Sequence, residues 1–210
     1  MAEWSIAAVL KTVDPQGSGG SNPSLSAKPE YQLEERNWKM KKAIIGSAVM
    51  AACVCGAKET ILVAADPFAV GLKNAVVKHL EERGFAVKDL GATDANKEKP
   101  YFESAVEVCR AMQKGEAKRA FLFCGTGMGM SMIANRFKGV RAAVVESVFA
   151  AKMCRAINDA NVLCMGQMIW GDMMANAAAD AFLDTKFTET LEPLAPFLED
   201  ARKKVEAIRD

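Results

Sequence analysis

The sequence predicts an α/β protein built on a doubly wound parallel sheet of five strands, and three observations carry that expectation. From Glu59 onward, short apolar runs alternate with amphipathic stretches at close spacing, as strands do when each is followed by a helix that covers the sheet. The apolar runs are continuous, which suits strands buried on both faces. One run, Ala120–Phe123, leads into Cys124-Gly125-Thr126-Gly127-Met128-Gly129, a strand-to-helix turn whose backbone N–H groups converge on one spot.

Each element follows from its residues. Thr60–Ala65 is a continuous apolar strand, and Leu72, Val76, Val77 and Leu80 keep helical spacing until Gly84 stops the helix. Phe85–Leu90 is the second strand, ended by Gly91. Tyr101–Met112 reads as a helix with Val106, Cys109 and Met112 inward. Ala120–Cys124 is the third strand, with its helix over Met130–Phe137. Val140–Val145 and Val148–Ala156 form the fourth strand and its helix. Asn161–Met165 is the fifth strand, followed by an Ala-rich helix over Met173–Leu183 and a terminal helix over Pro196–Arg209. In such a sheet the site is expected at the carboxyl ends of the strands.

Residues 1–58 read as an N-terminal tail before a domain at 59–210. Asp14–Pro23 is turn and linker chemistry. Gly20-Ser21-Asn22-Pro23 is what the T-arm of a transfer-RNA gene encodes in one frame, which suggests a start codon placed too far upstream; an ordinary tail is the alternative. Met40-Lys41-Lys42, the apolar run Ala43–Ala52 and Cys53 resemble a signal or lipoprotein segment, with a helix or strand packed on the domain as the alternative. The run is too short to span a bilayer, so no integral membrane span is expected. The location expected is cytoplasmic, or exported or lipid-anchored if translation starts at Met40.

Half of the 210 residues are hydrophobic and the formal net charge is +1, with no long basic run, so nucleic acid is not an expected partner. The six cysteines contain no C-x-x-C and His79 is the single histidine, so a zinc site of Cys/His type is not expected, nor any other metal. Most of these thiols read as small buried hydrophobes in a reducing compartment. Cys124 is the exception, because a strand end facing N–H groups and a helix N-terminus favours a thiolate. Asp66, ending the first strand, is either a functional carboxylate or a helix cap; Asn158 is either a ligand or a local turn former. His79 reads as a surface residue, and Met128, Met130 and Met132 as core or pocket wall. Glu146 mimics the acidic ribose ligand of a dinucleotide site, but Met130 stands where the third fingerprint glycine belongs and would block close helix packing.

The Cys124-Gly125-Thr126-Gly127-x-Gly129-x-Ser131 run, the Ala134–Ala142 segment and Asn158-Asp159-Ala160-Asn161-Val162-Leu163 resemble the signature of the ribose-5-phosphate isomerase B / galactose-6-phosphate isomerase family. Asp66, Leu72-Lys73 and His79-Leu80-x-x-Arg83-Gly84 fit the family's first strand–helix unit, and the resemblance covers about residues 59–209. It implies a Rossmann-like α/β/α sandwich acting as a homodimer or homotetramer, without cofactor, that interconverts aldose and ketose phosphates through a cis-enediolate. It also implies roles. Cys124 would be the base, Gly125, Gly127 and Gly129 with the intervening amides would cradle the enediolate oxygen, and Thr126 would relay a proton. Asp66 and Asn158 would bind sugar hydroxyls, and Asn135 would hold the loop.

Departures from the family pattern are equally specific. Pro67 and Ile157 stand where the family has histidines, and the second of those opens the furanose ring. Two phosphate-binding arginines, supplied by the neighbouring subunit, are replaced by Asp200 and Lys204, and Lys99 stands where a tyrosine is common. Lys204 keeps a positive charge but lacks the bidentate fork of arginine. Either the substrate arrives already open, or Glu146, Lys99 or a partner residue supplies the acid. A non-catalytic or partner-dependent sugar- or phosphate-binding homologue is the alternative to an active isomerase.

Overall fold

In the computed structural model, residues 58–93 and 99–208 are described, and the tail expectations for residues 1–57 lie outside them. Five strands alternate with six helices. These are β1 (Thr60–Ala65), α1 (Val70–Glu82), β2 (Ala86–Asp89), α2 (Tyr101–Gln113), β3 (Arg119–Cys124) and α3 (Met128–Ala134). They continue with β4 (Ala142–Val144), α4 (Val148–Asn158), β5 (Val162–Gly166), α5 (Asp172–Asp184) and α6 (Ala195–Ala207). The sheet order is β2-β1-β3-β5-β4, and every pairing is parallel. From β1 the chain first builds outward to β2, then returns to the other side for β3. The β1/β3 seam is therefore the switch point, where α/β sheets open a crevice.

The central strands are buried on both sides, and alternate residues face opposite layers. Ile61, Val63, Phe121, Phe123, Leu163 and Met165 pack against α1, α4 and α5. Leu62, Ala64, Leu122, Val162 and Cys164 pack against α2 and α3. The expected strands at the two margins are longer than those observed. Phe85–Leu90 shortens to Ala86–Asp89 and Val140–Val145 to Ala142–Val144, because an edge strand has a ladder on one side only.

Two helices differ in detail. α3 starts directly after Gly127, whose φ of +79° turns the chain into the helix, and it ends at Ala134 rather than Phe137. On α2 the buried residues are Ser104, Ala105, Val108, Cys109 and Ala111, so Val106 is displaced from the inward face. Ser104 takes a buried place because its hydroxyl donates to Ala65 O at 3.1 Å. Lys73 is fully buried on the inner stripe of α1. It is compensated by an ion pair with Asp89 and a hydrogen bond to Ala92 O at 2.6 Å, which ties the loop after β2 to α1.

Helix α6 is held at the strand-start edge. Arg141 Nη1 meets Glu206 at 2.7 Å, and Arg202 meets Asp159 at 3.5 Å. Among its residues only Leu198 is buried, and Phe197 and Val205 are exposed. Among the described residues no helix is long and apolar enough to cross a membrane.

Candidate active site

Cys124 ends β3 at the switch point. Its Sγ accepts the Gly127 N–H at 3.1 Å, and Gly127 itself has a φ of +79°. A side chain at Gly127 would approach the Met165 backbone at 3.0 Å, so glycine is required there on both counts. This differs from the sequence expectation in one respect: the Gly127 N–H serves the sulfur rather than an oxygen. The Gly129 amide, in the first turn of α3, lacks a carbonyl partner three or four residues back and remains as a donor. Thr126 Oγ1 accepts from Met128 N at 3.4 Å, leaving its own proton to donate.

The loop is fastened to the end of β5. Gln167 N donates to Cys124 O and Met168 N to Gly125 O, both at 3.0 Å. Gly166 permits this approach, since a Cβ there would lie 2.5 Å from Thr126 Cα. The Tyr101 ring covers Gly129 in the same way, at 2.7 Å from the position a Cβ would take. Phe68 and Met168 flank Gly125 and are exposed.

From the β1 side, the Asp66 N–H donates to Phe123 O at 3.2 Å, which sets Asp66 beside the end of β3. Its Oδ1 accepts from Ala69 N at 3.1 Å and caps the turn Pro67–Ala69. The cap and the candidate ligand are thus one residue, with the second carboxylate oxygen remaining. Burial raises the Asp66 carboxyl above the usual aspartate range, against hydrogen bonds from Ala69 and Phe68 that lower it. If the carboxylate form binds substrate, kcat/KM falls as pH drops through this raised value, so the acid limb sits higher than an ordinary aspartate's and disappears in Asp66→Asn. Stability runs the other way. Between the unfolded and folded values the native state binds more protons, so stability decreases as pH rises through that window. A pH–rate profile paired with melting curves checks both signs.

The other described thiols are poor candidates. Burial pushes Cys109 up to about 12, Cys154 up to about 11 and Cys164 well above its ordinary value. Met130 is fully buried, in keeping with its blocking of a dinucleotide fingerprint. Asn135 grips Ala142 from both sides, with Nδ2 donating to its carbonyl at 2.9 Å and Oδ1 accepting its N–H at 2.8 Å. It thereby fixes the turn between α3 and β4, away from the sulfur. Lys99 is committed to Leu90 O and to Glu107. Glu146 follows β4, which β5 separates from β3. His79 Nε2 lies 2.7 Å from Asp180 Oδ1, beside Arg83, in a half-buried inter-helix pair.

Besides Asn135, two further expected site residues are not brought to Cys124 within one chain. Helix α4 runs from the carboxyl-end edge back to the strand-start edge, so Ile157 and Asn158 lie at the edge opposite Cys124. Lys204 pairs with Asp200 at 2.7 Å on the exposed side of α6, also held at that far edge. A cavity lined by Arg119, Arg141, Arg155 and Asp159 lies there too, separate from the sulfur. Residues that sequence reasoning missed include Gln167, Tyr101 and the buried Lys73. Lys73 had a signal, because it falls on the apolar stripe with Leu72, Val76 and Leu80.

The parallel sheet is a Rossmann-like α/β fold, and a cysteine, a glycine-rich turn and a carboxylate meet at its switch point as a candidate site. The pattern of the Ribose/Galactose Isomerase family matches residues 61–193, and the chain belongs to that family. It is 45% identical over 151 residues to the 4-deoxy-4-sulfo-D-erythrose isomerase of a Clostridium species, covering 71% of this chain and 95% of that relative. It is 32% identical over 128 residues to the D-erythrulose-4-phosphate isomerase of Pectobacterium atrosepticum, covering 61% of this chain and 84% of that one. Among solved structures, the ribose 5-phosphate isomerase of Thermotoga maritima superposes with a TM-score of 0.60 at 32% identity, covering 68% of this chain and 98% of that chain. The protein is an isomerase of the aldose–ketose type, in a family whose members differ in their sugar.

Proposed function

We propose that Cys124 is the base of an aldose–ketose isomerase whose substrate is a short, open-chain sugar carrying an anion at its far end. The thiolate takes the proton from C2 of the aldose, the C–H pair becomes the C1=C2 bond of a cis-enediolate, and charge moves to O1. Preorganised N–H donors stabilise that oxygen, and such stabilisation usually lowers the barrier more than any other single effect. Thr126 passes a proton between O2 and O1, and the Cys124 S–H returns its proton to C1, giving the ketose. Asp66 accepts from a sugar hydroxyl. The observation that carries the reading is the Gly127 N–H held against Sγ at the switch point.

The substrate class rests on Ile157. An apolar side chain cannot protonate a ring oxygen, which is a defect only for a substrate that closes a ring. A four-carbon aldose forms a furanose through its C4 hydroxyl, and a sulfonate or phosphate at C4 removes or blocks that hydroxyl. The sulfo-erythrose and erythrulose-phosphate names of the two relatives belong to that class. The second reading, a non-catalytic binder, has only the missing histidines in its favour.

We also propose that the working unit is at least a homodimer, because Asn158 and Lys204 face away from their own Cys124 and can serve only another copy's site. Exposed apolar residues on the same elements, including Phe149 and Phe197 at 71% and 66% exposure, support burial in an assembly. A sugar anion and a free thiol suit a reducing, cytoplasmic setting.

The test is Ile157→His. Wild-type enzyme is expected to turn over ribose 5-phosphate poorly, and the histidine variant to improve it without raising turnover of a tetrose 4-phosphate. Efficient wild-type turnover of ribose 5-phosphate would show that another group opens the ring.

A further inference from the structure

Gln167 is the first residue beyond β5, and its N–H bond to Cys124 O seats it beside the end of β3. Asp66 is seated in the same manner from the other side, through Phe123 O. Both residues are therefore seated at strand ends that adjoin Cys124, Gln167 after β5 and Asp66 after β1. The Gln167 amide has a fixed orientation: its Oε1 accepts the Leu72 N–H of the first turn of α1 at 2.8 Å, a donor that otherwise lacks an intrahelical partner. With the oxygen so committed, both Nε2 protons are left over. Among the described residues Nε2 has no partner and is not sealed from solvent.

We propose that Gln167 Nε2 donates a hydrogen bond to an oxygen of the bound sugar and is a specificity-determining residue of this isomerase. Asp66 offers an acceptor and Gln167 a donor at the strand ends that adjoin Cys124, so an open-chain polyol is read by one group of each kind. This rests on the assignment of the site to the Cys124 end of the sheet. It does not depend on Cys124 being the base, because a binding defect at Gln167 is measurable whatever group moves the proton.

Two variants separate the donor from the helix cap, with D-erythrose 4-phosphate as the probe. Gln167→Glu retains an acceptor for Leu72 N–H and loses the donor. Gln167→Met loses both and adds no charge. Both are expected to raise KM by roughly tenfold, the scale of one lost hydrogen bond to substrate, with a smaller change in kcat. Only Gln167→Met is expected to lower Tm, since only it uncaps α1. A Gln167→Met enzyme with wild-type KM and a lowered Tm would overturn the proposal, leaving Gln167 as a helix cap alone. A rise in KM confined to Gln167→Glu would overturn it too, because charge repulsion would then account for the effect.

Discussion

Cys124→Ala is expected to reduce kcat for aldose–ketose interconversion by about a hundredfold to ten-thousandfold, the usual contribution of a positioned base. The fold should persist with a modest fall in Tm, because the buried Gly127 N–H loses the sulfur that accepts its hydrogen bond, a loss of about 1–3 kcal/mol. Cys124→Ser is the sharper companion. It preserves size and an acceptor for Gly127 N–H, but its hydroxyl is a far weaker base, so kcat should fall nearly as far while Tm stays at the wild-type value. An alanine variant within a few-fold of wild type would remove Cys124 from the mechanism.

Gly166→Ala is expected to be comparably damaging by a different route. Its Cβ would lie 2.5 Å from Thr126 Cα, 2.6 Å from Thr126 C and 2.8 Å from Gly125 O. All three are backbone atoms, so no rotamer change relieves the contact, and the Gly125–Thr126 turn must move away from β5. Displacing reacting groups by about 1 Å costs on the order of a hundredfold in rate, and overpacking of this kind costs about 1–3 kcal/mol of stability. Gly139→Ala is the control. Gly139 has a φ of +79° but nothing within 4 Å of the added Cβ, so it carries only the left-handed backbone penalty of about 1–2 kcal/mol and should keep full activity. Equal activity in the two variants would show that the β5 contact does not position the loop.

The local features of the site were legible because they are local in sequence. Continuous apolar runs mark doubly buried strands, and Asp66 and Cys124 each stand at the end of one, so a parallel sheet with β1 beside β3 must bring them together. The glycine at 127 was legible as part of a turn; that its N–H faces the sulfur was not, since this depends on the path of the backbone through Gly125 and Thr126 and on the Cys124 rotamer. Long-range pairs were hidden. Lys73 finds Asp89 and Ala92 across a strand and a turn, and nothing in a helical stripe states which carboxylate will neutralise a buried ammonium. Gln167 caps a helix 95 residues earlier, a partnership that exists only once β5 is threaded beside β3. The inward face of α2 departs from expectation at Val106 because Ser104 gains a buried position through Ala65 O, a bond no periodicity anticipates. Asn158 and Lys204 carry a family resemblance, but a motif does not say at which edge of the sheet its residues fall; for Asn158 the antiparallel course of α4 does.

The most direct measurement of the central claim is the ratio of kcat/KM for D-erythrose 4-phosphate to that for ribose 5-phosphate in the wild-type enzyme, with uptake of solvent deuterium recorded for each. The four-carbon sugar is expected to be strongly preferred, with deuterium entering it during turnover, because it arrives open and needs only the proton transfer at Cys124. Comparable kcat/KM for the mostly cyclic ribose 5-phosphate would contradict this mechanism, since it would require a ring-opening acid where Ile157 provides none.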